Sequence, residues 1–226
     1  MKRVICAAGV AAALLVMAST AMAQTAGAPT PSASAPAVNM GYLGGFAGIG
    51  AVQNAAAVGG GEAGVRVFHS LDLIVEGGYG KDGVTRRRTD VTATLATLLQ
   101  NTQGKPASSS VKAPVNYGMV GLRYVIENSS PLRPYVLVEV GRANIEYKPS
   151  FTLNGADVTS TLANYGVTLG SDLVSQETKT AFGGGVGVWF VRGPLYVDAS
   201  VRLLSIQTAS QSTNMTRAHV GLGFRF

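Results

Sequence analysis

From Met40 onward the chain is written in twos. Short runs in which every second residue is apolar are separated by turn residues, the pattern of half-buried strands. Eight such runs can be counted, at 40–51, 57–68, 71–80, 113–126, 134–143, 178–191, 195–207 and 214–226. In 195–207 one face reads Leu195, Val197, Ala199, Val201, Leu203, and the other Tyr196, Asp198, Ser200, Arg202. In 71–80 the apolar face is Leu71, Leu73, Val75 and Tyr79, opposed by Asp72, Ile74 and Glu76. The first run, "GYLGGFAGIG", is too rich in glycine to phase.

The connectors alternate in length. Those at "HS", "NSSPLR" and "RGP" are turn-like, whereas 81–112 and 144–177 are long. Short turns at one end and long loops at the other predict an all-β fold: a closed antiparallel up-and-down barrel of eight strands that threads a membrane. Eleven charged residues take the phase opposite the apolar one: Glu62, Arg66, Asp72, Glu76, Arg123, Glu139, Lys179, Asp198, Arg202, Arg217 and Arg225. An Arg or Lys facing lipid at mid-bilayer costs about 2–4 kcal/mol, so a lipid-facing apolar side should be free of them. Arg142 is the exception, where the phase of its strand breaks near the expected membrane boundary. Tyr79 and Phe182 at one edge, and Tyr124 and Phe190 at the other, form two expected aromatic girdles.

Composition sharpens this reading. Charged residues make up 13% of the 226, and glycines number 29. Lys2 and Arg3, the apolar stretch "VICAAGVAAALLVMA" and the small-residue site "AMA" predict a cleaved secretory signal over 1–23. The sole cysteine, Cys6, falls within it, which suits an oxidising compartment and leaves the mature chain without thiolate metal sites. Residues 24–39, rich in Pro, Ala and Ser, have nothing to bury and read as a disordered periplasmic lead to a barrel domain at 40–226. Loss of Lys2 and Arg3 leaves 16 basic and 12 acidic residues, too small an excess for a nucleic-acid footprint.

The last strand, "HVGLGFRF", closes such a barrel against the first. With the strand count and the loop asymmetry, it resembles the small outer-membrane β-barrels of Gram-negative bacteria, the OmpA/OmpX-type family, over about residues 40–226. The resemblance implies that Val220, Leu222, Phe224 and Phe226 carry the signal read by the barrel-assembly machinery. It also implies outer-membrane lipid and lipopolysaccharide as surroundings, with both termini periplasmic.

Candidate chemistry lies in the lumen. Glu62, Glu76, Glu139 and Asp198 face Arg66, Arg123, Lys179, Arg202, Arg217, Arg225 and His219 in a space just wide enough for side chains to fill. Two readings stay open, a salt-bridged plug and a narrow polar channel. A lipid-modifying Ser–His–Asp site is disfavoured, because the expected hairpin register sets Arg202, not Ser200, opposite His219. No catalytic residue, metal ligand set or cofactor motif is assigned, and the expected role is structural, with surface interaction through the two long loops.

Those loops contain a near-repeat, "DVTATLA" (90–96) and "DVTSTLA" (157–163), from hairpin duplication or chance. Asp90 before Val-x-x-x-Leu fits the cap of a short helix, and extension of the hairpins fits as well. Segment 81–112 holds six basic residues against two acidic ones. Its run Arg86, Arg87, Arg88 is the candidate contact for lipopolysaccharide or another polyanion.

Overall fold

The computed structural model describes residues 41–170, 176–207 and 212–226. The expected signal and lead, 1–39, lie outside them. The eight barrel strands are β1 (Gly41–Ala51), β2 (Ala55–Phe68), β3 (Leu71–Gly80), β5 (Val115–Val125), β6 (Leu132–Glu146), β9 (Gln176–Arg192), β10 (Leu195–Gln207) and β11 (Ser212–Arg225). Each pairs antiparallel with its neighbours, and β11 pairs with β1 to close the ring. Closure runs to the last residue: Gly41 and Phe226 exchange two backbone hydrogen bonds of 2.9 Å. No barrel strand is left with an edge to pair with another chain or to meet lipid unsatisfied.

The short-turn end is laced tightly. The carbonyls of Ser70, Pro131 and Pro194 accept from Val125, Val191 and Arg225 at 2.7, 2.9 and 2.6 Å, each tying a turn to the neighbouring strand. Gly193, in the β9–β10 turn, takes φ 62°, which a side chain would resist.

Alternation decides which residues face where. In β1, the strand whose phase glycine obscured, Tyr42 and Phe46 point inward and Leu43 and Ile49 outward. The outward belt is apolar through the short-turn half, with Leu222 66% and Phe224 63% exposed, until Arg192 at the rim beside the β9–β10 turn. Tyr79, Tyr124, Phe182 and Phe190 all project outward. By register Tyr124 and Phe190 lie near the short turns, and Tyr79 and Phe182 in the long-loop half. Arg142 also faces outward, but the phase of β6 does not break there. Val140, Arg142 and Asn144 follow one another on one unbroken face.

The inward face is stratified. Near the short turns Tyr42, Tyr135, Trp189 and Tyr196 pack with Ile74, Val125 and Leu137. Charged side chains fill the middle. Above them the lumen becomes apolar again, with Val58, Val115, Tyr117, Met119, Ile145, Leu204, Ile206 and Met215. Val84, from the start of the first long connection, and Ala113, just past its end, cover this upper layer.

The two long connections are one folded unit, not separate surface loops. Segment 81–112 forms α1 (Arg86–Gln103) and β4 (Ala107–Lys112); the second connection contributes β7 (Lys148–Leu153) and β8 (Ala156–Asp157). Strands β4, β7 and β8 make a three-stranded sheet of their own, with β4 of the first connection paired to β7 of the second. Ala96 and Leu99 of α1 pack with Phe151, Leu153, Val158, Leu162 and Val167. Both helix and strand extension are therefore realised, but Asp90 caps nothing. The helix starts at Arg86 behind an extended Thr85 whose side chain makes no cap bond, and it ends on left-handed Gly104. In the second copy of the near-repeat, Asp157 Oδ1 accepts from the Thr159 N–H at 2.8 Å and opens a 3-10 turn, Thr159–Tyr165.

Closure by Phe226 makes assembly sensitive to the end of β11. Deleting Phe226 removes two backbone hydrogen bonds and one ring of the belt. The expected outcome is a reduced yield of heat-modifiable barrel in the outer membrane and more aggregate before insertion. Heat-modifiable barrel at the unmutated level would remove the terminal residue from the closure argument.

Candidate functional site: a charged layer in the barrel lumen

Carboxylates come from β2 (Glu62), β3 (Glu76), β6 (Glu139) and β10 (Asp198), and guanidiniums from β5 (Arg123), β10 (Arg202) and β11 (Arg217). All seven are at most 7% exposed. Burial of this kind is tolerated only with ion pairing and hydrogen bonds to nearly every lone pair. Arg202 is the hub. Its Nη2 donates to Glu62 Oε2 at 2.7 Å and its Nη1 to Glu76 Oε2. Glu76 Oε1 accepts in turn from Arg217 Nη1 at 2.5 Å. Glu62 Oε1 accepts from Arg123 Nη2 and from the Tyr42 hydroxyl, the latter at 2.9 Å.

Aromatic rings complete the solvation. The Arg123 guanidinium lies 4.3 Å from the Tyr135 ring centre and 4.6 Å from that of Trp189, and Arg217 lies 4.5 Å from that of Tyr117. Such contacts are worth about 2 kcal/mol or more when desolvated. Strands β1 and β9 bring no charge to this layer, and inward glycines of β9 make room for it. A Cβ on Gly185 would stand 2.8 Å from Arg202 Cγ, and one on Gly187 2.4 Å from the Tyr135 ring.

The set holds four carboxylates against three guanidiniums. Glu139 is the odd member. Its oxygens lie 3.6 Å from Arg202 Nη1 and 4.0 Å from Arg217 Nη2, and neither has a hydrogen-bond partner among the described residues.

Three residues expected in the lumen lie outside this network. Arg66 sits at the short-turn end, 2.5 Å from both Asp72 and Glu127, and donates to the His69 carbonyl at 2.7 Å. Lys179 lies at the long-loop mouth, 3.4 Å from Glu177. Arg225 is half-buried next to the closing residue.

The expected β10–β11 register is corrected. Strand β11 begins at Ser212, opposite Gln207, two residues earlier than its apolar alternation suggests. This sets Ser200 opposite His219 and Arg202 opposite Arg217. Ser200 Oγ is 2.8 Å from His219 Nε2, but the arrangement is not that of a hydrolytic triad. Asp198 Oδ2 approaches the same Nε2 at 3.8 Å, while Nδ1, which a triad acid would hold, has no hydrogen-bond partner among the described residues. Among the described residues, no three His, Cys, Asp or Glu side chains converge as metal ligands.

On the outer unit the three arginines separate. Arg86 and Arg87 are exposed, while Arg88 folds back so that its guanidinium lies 3.8 Å above the Tyr147 ring. Burial pushes the Tyr147 phenol above its ordinary range, against the opposing pull of the Arg88 charge. The sheet beneath α1 was announced by one dipeptide: Asn154 (φ 51°) and Gly155 (φ 81°) form the β7–β8 turn, and Asn-Gly is a strong short-range hairpin signal.

The family model described as the outer membrane protein beta-barrel domain matches residues 11–226. The chain belongs to that family. Its fold is that of a bacterial outer-membrane barrel, shared with Neisserial surface protein A at a TM-score of 0.50 and 15% identity, over 82% of this chain and 96% of the other. Ail, the attachment invasion locus protein of Yersinia pestis, aligns over 83% of this chain and 97% of its own at 12% identity and a TM-score of 0.43. A major outer membrane protein of Thermus thermophilus aligns over 82% and 99% at 10% identity and a TM-score of 0.46. No curated sequence matches the chain.

The network makes a ranked prediction. Glu76→Gln leaves two buried guanidiniums short of a partner and should destabilise the barrel by about 3–5 kcal/mol. Glu139→Gln removes a charge that accepts no hydrogen bond and should cost far less, or stabilise. Denaturant unfolding in one detergent gives both values, and the reverse order would overturn this account of the lumen.

Proposed function

We propose that this chain is a non-enzymatic, plugged barrel whose work is done by the folded unit on its long-loop end, a structural and surface-interaction protein of the outer envelope. One observation carries the reading: Glu76, Arg123, Trp189, Arg202 and Arg217, from successive levels of the lumen, are each at most 1% exposed. A solute path through the barrel would leave some of them wet. Meanwhile about a quarter of the described chain is spent on a unit with its own core. In this reading both ends of the chain and the short turns face the periplasm, and α1 with its sheet faces outward.

The chemistry of the outer contact follows from Arg86 and Arg87. They stand in the first turn of α1, which contains no acidic residue and lacks a side-chain cap. Helix N-termini favour anions by about 0.3–1 kcal/mol each, and guanidiniums pair with phosphate bidentately. Lipopolysaccharide or another polyanion is the matching partner. Arg88 is excluded from that contact because Tyr147 holds it.

In planar bilayers the unmutated protein should be electrically silent, and Arg202→Ala, which removes the hub, should open a leak. A large, steady conductance before mutation would establish the narrow channel instead. Replacing Arg86 and Arg87 together with Gln should weaken binding to lipopolysaccharide at low ionic strength, with the difference shrinking as salt is added. Arg88→Gln should instead loosen the outer unit. Equal binding by the double variant and the unmutated protein would return those two arginines to ordinary solvated positions.

A further inference from the structure

Arg142 is an arginine of the barrel wall that the lumen does not use. It projects from the lipid-facing side of β6, exposed, with no hydrogen bond or ion pair to any described residue. Its surroundings on the outward face follow from the register of β5, β6 and β9. Below it is the row Val120, Val140, Phe182; level with it are Gly118 and Thr180; above it is the row Asn116, Asn144, Thr178. Neighbouring strands stand about 4.8 Å apart and successive outward residues about 6.7 Å, so these nine positions cover a patch about 10 by 13 Å. The patch is apolar at the bottom, cationic in the middle and lined with amides and hydroxyls at the top. Within it Asn144 Nδ2 donates to Thr178 Oγ1 at 3.2 Å.

Among the described residues, no acidic side chain on the outward face above Arg142 is left to neutralise the guanidinium. Glu146, the second outward residue beyond Arg142 along β6, is engaged by Lys148 at 3.0 Å. Gly118 presents open space beside Arg142, where a Cβ would meet nothing within 4 Å. An unpaired arginine on the wall of a membrane barrel is cheap only near the interface, where it costs about 0–1 kcal/mol. The ring of Phe182, one row below, puts it at that level.

We infer that this patch is a lipid headgroup site: Arg142 holds the phosphate of an anionic lipid in the leaflet nearest the long loops. The acyl chains run down over Val120, Val140 and Phe182, and the headgroup hydroxyls meet Asn116, Asn144, Thr178 and Thr180. The site lies on the barrel wall and is separate from the arginines of α1, so it stands or falls apart from the function proposed above. Charge complementarity selects the occupant: a planar cation with five donors, above an apolar wall, matches a phosphate that carries a hydrocarbon tail.

The test is native mass spectrometry of the full chain in a maltoside detergent, titrated with phosphatidylglycerol or, in parallel, with phosphatidylcholine. The unmutated protein should retain phosphatidylglycerol preferentially. Arg142→Gln should reduce that retention about tenfold, the scale of one lost hydrogen bond to a charged group. Arg142→Lys should fall between, and phosphatidylcholine retention should change little. Arg86→Gln with Arg87→Gln should leave phosphatidylglycerol retention unchanged. Thr180→Leu, which keeps the charge, should weaken retention slightly and tests the same patch if Arg142→Gln folds poorly. Equal phosphatidylglycerol retention by Arg142→Gln and the unmutated protein would overturn the site. So would an equal loss of both lipids, or displacement of phosphatidylglycerol by inorganic phosphate at comparable concentration.

Discussion

Seven ionisable side chains inside a tube of eight strands set the terms for everything else in this molecule. Each would be costly alone in a low-dielectric lumen, and each is tolerable only while its partners are in place. Those partners come from distant parts of the chain. Arg202 on β10 is 140 residues from Glu62 on β2, and Arg217 on β11 is 141 from Glu76 on β3. Neither of these arginine hydrogen bonds can form within a single hairpin. The network therefore exists only when the sheet has curled far enough to face itself, which couples charge satisfaction to the closing of β11 on β1. Inward glycines on β9 and aromatic rings stacked on the guanidiniums are the supporting conditions.

Much of the barrel was legible because its rule is simple: a strand facing lipid on one side and a filled lumen on the other must alternate, and the charges report the phase. The rule weakened where side chains were missing or where the surroundings changed. Glycine hid the phase of β1, although Tyr42 and Phe46 obey it. At the upper end of β11 the outward residues become Ser212, Asn214 and Thr216, so apolar alternation placed the strand start two residues late. That slip misjudged which residue faces His219. Arg142 looked like a break in phase for the same reason, since polar outward residues begin at its level.

The outer unit was harder to see because its core is shared. Leu99 and Ala96 come from one connection, Phe151 and Leu162 from the other, and neither segment alone shows a complete apolar face. Strand β4, "ASSSVK", has little hydrophobic signal of its own and is defined by pairing with β7. The position of Arg88 depends likewise on Tyr147, 59 residues away, and no local pattern could separate it from Arg86 and Arg87. The near-repeat carries the same lesson: almost identical heptads adopt an α-helix in one place and a 3-10 turn in the other.

The pairing of β4 with β7 has a consequence for whatever meets this end of the barrel from outside. The surface it encounters is a shape made jointly by two stretches of chain, from Ala107–Lys112 and Lys148–Leu153 with the helix laid over them. An antibody raised against either stretch as a free peptide would be selected on a form that the assembled surface does not present. Recognition here is conformational, and an immunogen or a graft that borrows this surface has to carry both connections on a frame that holds their ends as the barrel does.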